Sequence, residues 1–286
     1  KEGYQPITTE SKRYVASFNG EIFNYKELIK KYNFSKKEIN SEVKLLGKLF
    51  ETKGVKFISE IKGQFVISIY DIKTEKIYLF RDRYGIRPIF YKIDDNLFIY
   101  SSEIKSIGAY YKQPLKTSLS SLANNALFWS NINSSTSFEE VHQLPPGNYL
   151  IFNKGQLEIS KYWINPLADY KIKESKNLNF YKILKDSVKR QIHGEAGFSS
   201  YLSGGIDSSI IAYLLTEIQG SPIDTFSIEF ENKEYDESNA QKKIQKFINS
   251  NHFSLKITNE DIVNNFEKVI NHSEAHLFRT APVPMY

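Results

Sequence analysis

The sequence predicts an α+β domain rich in sheet, followed by an α/β domain built on a parallel sheet. Three observations carry this expectation. Over residues 1–165, short β-branched and aromatic runs are separated by turn residues, with two amphipathic stretches among them. Over residues 166–286 the pattern becomes an alternation of helical and extended segments, as expected of parallel strands joined by crossover helices. A glycine-containing loop, Ser203-Gly204-Gly205-Ile206-Asp207-Ser208, lies at a strand-to-helix junction in the second part.

In the first part, residues 13–18, 64–70, 76–80, 89–91 and 97–100 have the β-branched and aromatic content of strands. Residues 25–32 and 41–52 have helical spacing, and the second places Val43, Leu46 and Phe50 on one face. Asp71 and Lys73-Thr74 interrupt two extended runs, so 71–76 reads as a hairpin turn. Pro145-Pro146-Gly147 breaks regular structure, and strands 149–152 and 156–159 then close the domain. The polar stretch 169–177 follows, and the boundary is placed between domains 1–165 and 166–286. In the second domain, helices over 179–191, 208–217, 237–248 and 260–271 alternate with strands over 198–202, 224–230 and 253–257. No internal repeat is visible.

The hydrophobic fraction of 41% and charged fraction of 25% are those of an ordinary globular protein. No apolar run approaches the roughly 20 residues that cross a membrane, so no membrane partner is expected. The first residues show no secretory signal, and a cytoplasmic location is the expectation. The net charge of +5 comes from scattered Lys and Arg interleaved with acidic residues, which argues against a nucleic-acid partner. The 286 residues include no cysteine, which excludes disulfides, cysteine-ligated zinc and a cysteine nucleophile among them.

The loop at 203–208 has what a phosphate site needs. Paired glycines let the backbone approach a polyphosphate, a helix start offers unpaired amide hydrogens, and Ser203 and Ser208 add hydroxyl donors. Asp207 repels phosphate by itself, but its carboxylate makes sense with a magnesium ion between them. The alternative is an ordinary strand-to-helix turn with a capping serine or aspartate. The loop lacks the Gly-Lys-Ser/Thr ending of a Walker sequence and the GxGxxG spacing of dinucleotide folds.

With Leu202 before it and Ser209 after it, this loop resembles the SGGxDS loop of the ATP-pyrophosphatase family in its asparagine synthetase version. The resemblance extends, in order, along almost the whole chain. Phe18-Asn19-Gly20-Glu21-Ile22-Phe23-Asn24-Tyr25 is similar to the family's glutaminase strand and turn, and Gly63-Gln64-Phe65 to its next core strand. Arg81-Asp82-Arg83-Tyr84-Gly85-Ile86-Arg87-Pro88, Ser101-Ser102-Glu103-Ile104-Lys105 and Leu144-Pro145-Pro146-Gly147 match further landmarks. The resemblance implies a class II amidotransferase (Ntn-hydrolase-like) sheet sandwich, then an ATP-pyrophosphatase (adenine nucleotide α-hydrolase-like) domain. It implies aspartate amidation through β-aspartyl-AMP, with ATP and Mg2+ required, ammonia drawn from glutamine, and a possible homodimer.

By this resemblance Asn19 and Gly20 form an oxyanion hole, and Glu21 holds the glutamine α-amino group. Physically, a side-chain amide and a backbone N–H are donors that can be fixed before charge develops. Asn-Gly is equally the sequence of a plain hairpin turn. Asn40 lies where the family has a glutamine-binding Asp, which removes a charge expected to pair with the substrate ammonium. The resemblance places ATP against Leu202, Ser203, Gly204, Gly205, Asp207, Ser208 and the backbone of Ile228, with Asp207 as metal ligand. Glu229 stands where the family has glycine, Tyr235-Asp236-Glu237-Ser238 resembles the segment before the next helix, and His252 falls near the family's histidine. Arg81, Asp82, Arg83 and Arg87 are expected to be structural.

The family's nucleophilic cysteine and its later acidic loop are not among these residues. The chain is therefore expected to be part of a longer polypeptide and, as given, not to hydrolyse glutamine. Two competing expectations are an intramolecular amide-forming relative of the β-lactam synthetase or lasso-peptide cyclase type, which Asn40 would suit, and a non-catalytic nucleotide-binding fragment.

Overall fold

The computed structural model describes residues 4–35, 39–95, 97–166, 179–192 and 197–286, so the polar stretch 169–177 lies outside the described residues. Contacts divide the chain into two units, Lys1–Ile172 with Glu274–Phe278, and Lys173–Ser273 with Arg279–Tyr286.

The first unit contains β1 (Ile7–Thr8), β2 (Tyr14–Ile22), α1 (Tyr25–Lys31), α2 (Glu42–Lys53), a 3-10 helix (Gly54–Glu60), β3 (Gly63–Asp71) and β4 (Lys76–Arg81). It continues with β5 (Phe90–Asp94), β6 (Leu97–Ser101), α3 (Ile104–Tyr111), α4 (Leu119–Phe128), β7 (His142–Gln143), β8 (Asn148–Asn153) and β9 (Gln156–Lys161). Six strands form a sheet in the order β1-β2-β3-β4-β8-β9, and three form a second, β6-β5-β7. Every pairing in both is antiparallel.

The period of two along β3 explains the layering. Phe65, Ile67 and Ile69 pack with Val43, Leu46 and Phe50 of α2 in one core, whereas Val66 joins Leu79, Leu150, Tyr91 and Phe98 in another. The six-stranded sheet thus has helices on one face and the smaller sheet on the other. Phe98 and Phe152 stack across that second interface with ring centroids 4.5 Å apart, and the Ser68 hydroxyl meets the Tyr100 hydroxyl at 2.7 Å.

The second unit alternates α5 (Phe180–Gln191), β10 (Ser199–Tyr201), α6 (Ile206–Gln219), β11 (Asp224–Phe230), α7 (Ser238–Ile248), β12 (Asn251–Ile257) and α8 (Asn259–Ser273), with a final 3-10 turn at Val283–Met285. The strands form a parallel sheet, β10-β11-β12, as the alternation predicts. Leu202, Leu214, Leu215, Ile223 and Ile248 bury the helices against it.

Two expectations change. Asn19-Gly20 is not a hairpin turn: both residues lie inside the nine-residue β2, opposite Val66 and Phe65. The helix expected from 208 begins at Ile206, which brings Asp207 into its first turn. Helices α3 and α4, the Gly54–Glu60 turn and the two-residue strands β1 and β7 were not anticipated by the pattern.

Candidate functional site

Strand β10 is short, and the chain leaves it through Leu202, whose N–H bonds the Phe226 carbonyl at 2.8 Å. Ser203, Gly204 and Gly205 then turn into α6. Gly204 has φ +88°, and a Cβ there would lie 2.9 Å from Ala240 Cβ and 3.2 Å from the Gln241 nitrogen. Only glycine allows both the backbone conformation and this approach of α7. Gly205 is the N-cap of α6 and makes no side-chain cap, so the first amides of the helix lack that satisfaction.

The hydroxyls of the loop bond one another. Ser203 and Ser208 Oγ atoms are 2.9 Å apart, and Ser208 Oγ also accepts from the Ser203 N–H at 3.1 Å. The Gly205 N–H donates to Ser203 Oγ at 3.3 Å, while Ser208 and Ser209 both donate to the Gly205 carbonyl. Asp207 is exposed in the first turn of α6, where the helix dipole favours its charge. Among the described residues no group of three or more His, Cys, Asp or Glu could hold a metal ion. A single exposed carboxylate such as Asp207 fits magnesium where phosphate and water supply the remaining oxygens.

Next to the loop, Ser203, Leu202, Ile228 and Tyr235 help to line a cavity of about 230 Å³ at the carboxyl ends of β10 and β11. Strand ends of open parallel sheets are where ligands bind. Asp236 caps the segment before α7 by accepting from the Ser238 N–H and hydroxyl, which holds its carboxyl below the ordinary aspartate range. His252 bridges Thr225 and Ser227 at 2.9 and 3.0 Å, and burial lowers its pKa. Its role there is to tie β12 to β11. Glu229 faces Lys242 at 3.8 Å.

In the first unit, β2 carries Asn19, Gly20 and Glu21. Phe65, opposite Gly20, sends its N–H to the Asp82 carboxylate and accepts from the Asp82 N–H, so both of its backbone groups face β4. Opposed residues in an antiparallel pair exchange either both bonds or neither, so the Gly20 N–H faces the outer edge of β2. Its neighbours of the same parity agree: Phe18 N–H donates to Gln5 Oε1, and Ile22 N–H to Glu42 Oε1. Gly20 has φ +145°, and a Cβ would sit 2.0 Å from the Gln64 carbonyl oxygen. The Asn19 amide donates to Ser102 Oγ at 3.4 Å.

Asn40 is exposed and directly precedes Ser41, the N-cap of α2. The Glu42–Ile22 bond draws this segment to the end of β2 where Glu21 lies. Asn19, Gly20 and Glu21 are thus consecutive on β2, Asn40 lies two residues before the Glu42 that bonds Ile22, and in the other unit Leu202 and Ser203 line one cavity with Ile228.

The 81–88 segment is a structural clamp. Arg81 is buried and donates to the carbonyls of Arg87, Leu144 and Gly85, while Asp82 accepts from the N–H groups of Phe65, Tyr84, Ile86 and Arg87. Sequence patterning missed Ser102, which accepts from the Asn19 amide, and Gln241, which lines the cavity beside Leu202 and Ser203. The first was visible only as one residue of a motif, and the second reads as an ordinary polar helix residue.

The family model of the glutamine amidotransferase domain matches residues 1–163, and that of asparagine synthase matches residues 179–286. A candidate glutamine-hydrolysing asparagine synthetase of Methanocaldococcus jannaschii is 33% identical over 90% of this chain and 50% of its own length. A glutamine-hydrolysing asparagine synthetase of Bacillus subtilis is 32% identical over 79% of this chain and 32% of its own. An amidase of Gibberella zeae is 27% identical over 96% of this chain and 44% of its own. The chain thus spans half or less of the length of these relatives. Its two domain matches, in this order, make it a member of the glutamine-hydrolysing asparagine synthetase family.

Proposed function

We propose that the protein acts in ATP-dependent amide formation: a carboxylate, that of the aspartate side chain, is adenylated with loss of pyrophosphate, and ammonia released from glutamine then displaces AMP. The observation that carries this reading is the 203–208 loop, a strand-to-helix turn with glycine pressed against α7 and hydroxyl and amide donors converging. It belongs on an ATP-pyrophosphatase fold in the second unit and follows an Ntn-type amidotransferase fold in the first. The donors would position the phosphates and stabilise charge as the α-phosphorus is attacked. Magnesium, held by Asp207, would supply further charge neutralisation.

In the first unit the edge-facing Gly20 N–H and the Asn19 amide would hold the oxyanion of glutamine cleavage, with Glu21 and Asn40 toward the α-amino group. The thiol that the family uses as nucleophile is not among these 286 residues. A soluble cytoplasmic homodimer is the assembly consistent with this role. Among the described residues, no helix is long and apolar enough to cross a membrane.

Aspartate-dependent pyrophosphate release is the test. Asp207→Asn is expected to lower it about 100-fold while the fold is kept. Turnover equal to wild type would show that the loop has been misassigned.

A further inference from the structure

Helix α4 turns its apolar side outward. Its residues recur at the helical period, with Leu119, Leu122, Ala123, Ala126 and Leu127 on one face and Ser121 and Asn125 on the opposite one. A surface helix normally lays such an apolar face on the core. Here Ser121 and Asn125 are buried, whereas Leu119 and Leu127 are 76% and 74% exposed. Hydrogen bonds hold the helix in this orientation. Asn125 Nδ2 donates to the Ser121 carbonyl at 3.0 Å and to Asn131 Oδ1 at 2.6 Å, the Ser121 hydroxyl donates to the same Asn131 oxygen, and Ser118 caps the helix by accepting from the Ser121 N–H. Rolling the leucines inward would break this buried network and strand its polar groups.

Charge is missing from the same surface. Residues 117–138 contain no charged side chain in a chain that is 25% charged, and the two that bracket them, Lys116 and Glu139, pair with each other at 2.8 Å. Exposed Phe128, Trp129 and Ile132 extend the patch past the end of the helix. With the three leucines they present roughly 700 Å², close to what each partner contributes to a standard interface and above the apolar patch of most monomers. Exposed aromatic side chains in a region depleted of charge are the composition of an interface core.

We infer that this face of α4 is a contact between two copies of the chain, with the two helices antiparallel about Ala123. The net charge of +5 makes two copies repel over much of their surfaces, and least where no charge stands. A two-fold contact sets a patch against itself, so any charge in it would stand near its like, and this patch has none. The stripe also matches itself in size. Leu119 and Leu127 lie four residues to either side of Ala123, so Leu119 of each copy meets Leu127 of the other, while the small Ala123 side chains let the helices cross closely. A membrane surface is a poor occupant, because interfacial helices carry Lys and Arg on the polar face. The contact is independent of the amide-forming chemistry proposed above.

Sedimentation velocity of the protein tests this. Wild type is expected to be dimeric at about 10 µM. Leu119→Glu combined with Leu127→Glu, both at exposed positions, should keep the fold by circular dichroism and weaken self-association about 100-fold or more. Leu119→Glu combined with Leu127→Lys introduces as many charges but sets opposite signs together across the two-fold, and should associate at least about tenfold more tightly than the first pair. Wild type that stays monomeric, the patch being covered by another part of the polypeptide, would overturn the inference. A dimer that survives the Glu pair would place the contact on another face, and equal weakening by both pairs would refute the antiparallel packing; either result overturns it too. Trp129 gives a reading without variants. Its emission should move to shorter wavelength as wild type is concentrated through the transition, and unchanged emission would count against the contact even if both variants fail to fold.

Discussion

Replacing Asp82 by Asn is the most incisive perturbation of the first unit, because it keeps shape and volume while removing charge and one acceptor. Asp82 is fully buried, and its two oxygens accept four backbone N–H bonds of 3.0 to 3.2 Å. In Asn, one oxygen can keep the Tyr84 and Ile86 bonds, but the other becomes an NH2 aimed at the N–H groups of Phe65 and Arg87. Two buried donors then face a donor, at about 1–3 kcal/mol each. Arg81 adds to this loss. Burial lowers its pKa and the Asp82 charge raises it, so Asn removes the countercharge beside a buried guanidinium.

The sum is a loss of roughly 3–6 kcal/mol, a large fraction of a domain's stability. Both tryptophans, Trp129 and Trp163, lie in the first unit, and Trp163 packs edge-on against Tyr84 of the clamp at 5.1 Å. Tryptophan fluorescence during urea unfolding therefore reports this unit. Hydrogen exchange at Phe65 and Arg87 should quicken more than elsewhere. A loss below about 1 kcal/mol, comparable with an exposed control such as Asp95→Asn, would refute the view that this carboxylate organises the loop.

Asp71, 2% exposed, is held by Arg13 through two bonds and by Thr74 and the Lys73 N–H, and the Arg13 bond leads in holding its pKa at about 2. A depressed carboxyl stabilises fully above its unfolded pKa, near 4, and the contribution fades as pH falls from there toward 2. About 1–2 kcal/mol should disappear over that window, discounted because Arg13 is partly exposed, and acid titration of Asp71→Asn should lack this component. Gly20→Ala would force a Cβ to 2.0 Å from the Gln64 carbonyl oxygen, so β2 must part from β3. The expected loss is above about 3 kcal/mol by urea unfolding, and a well-folded variant would contradict the close approach. Ser208→Ala should cost the second unit less than about 1 kcal/mol, because its bonds are exposed or half-buried, but should weaken MgATP binding about tenfold in calorimetry. Unchanged affinity would place the phosphates elsewhere.

Elements whose signals are local were legible in advance. Strand β11 runs from Asp224 to Phe230 as its β-branched and aromatic run predicts, and the β3–β4 hairpin turns where Asp71, Lys73 and Thr74 interrupt the pattern. Helix α4 was not legible, because it contains Asn124-Asn125 and depends on Asn125 bonding the Ser121 carbonyl and Asn131 Oδ1, a contact made outside the helix. The pairing of Phe80 with Tyr149 joins strands nearly seventy residues apart, and no local pattern encodes it. Asn19-Gly20 misleads for the same reason: its glycine answers the approach of Gln64 on the neighbouring strand, not a bend in its own. At the candidate sites, the glycine turn at 203–208 could be read from contiguous residues as a strand-to-helix junction. The burial of Gln241 could not, since only folding reveals that its Nε2 reaches the Ile228 carbonyl while, among the described residues, its Oε1 has no partner.

The outer edge of β2 bears on solubility as well as on chemistry. An unprotected strand edge is a template on which another chain can add a strand, and natural sheets blunt such edges. Here Gln5 and Glu42 occupy the amides of Phe18 and Ile22 on either side of Gly20. A foreign strand needs a row of outward amides, and along Phe18, Gly20 and Ile22 these two side chains leave only that of Gly20 uncapped. The same two side chains thus blunt this edge against strand addition.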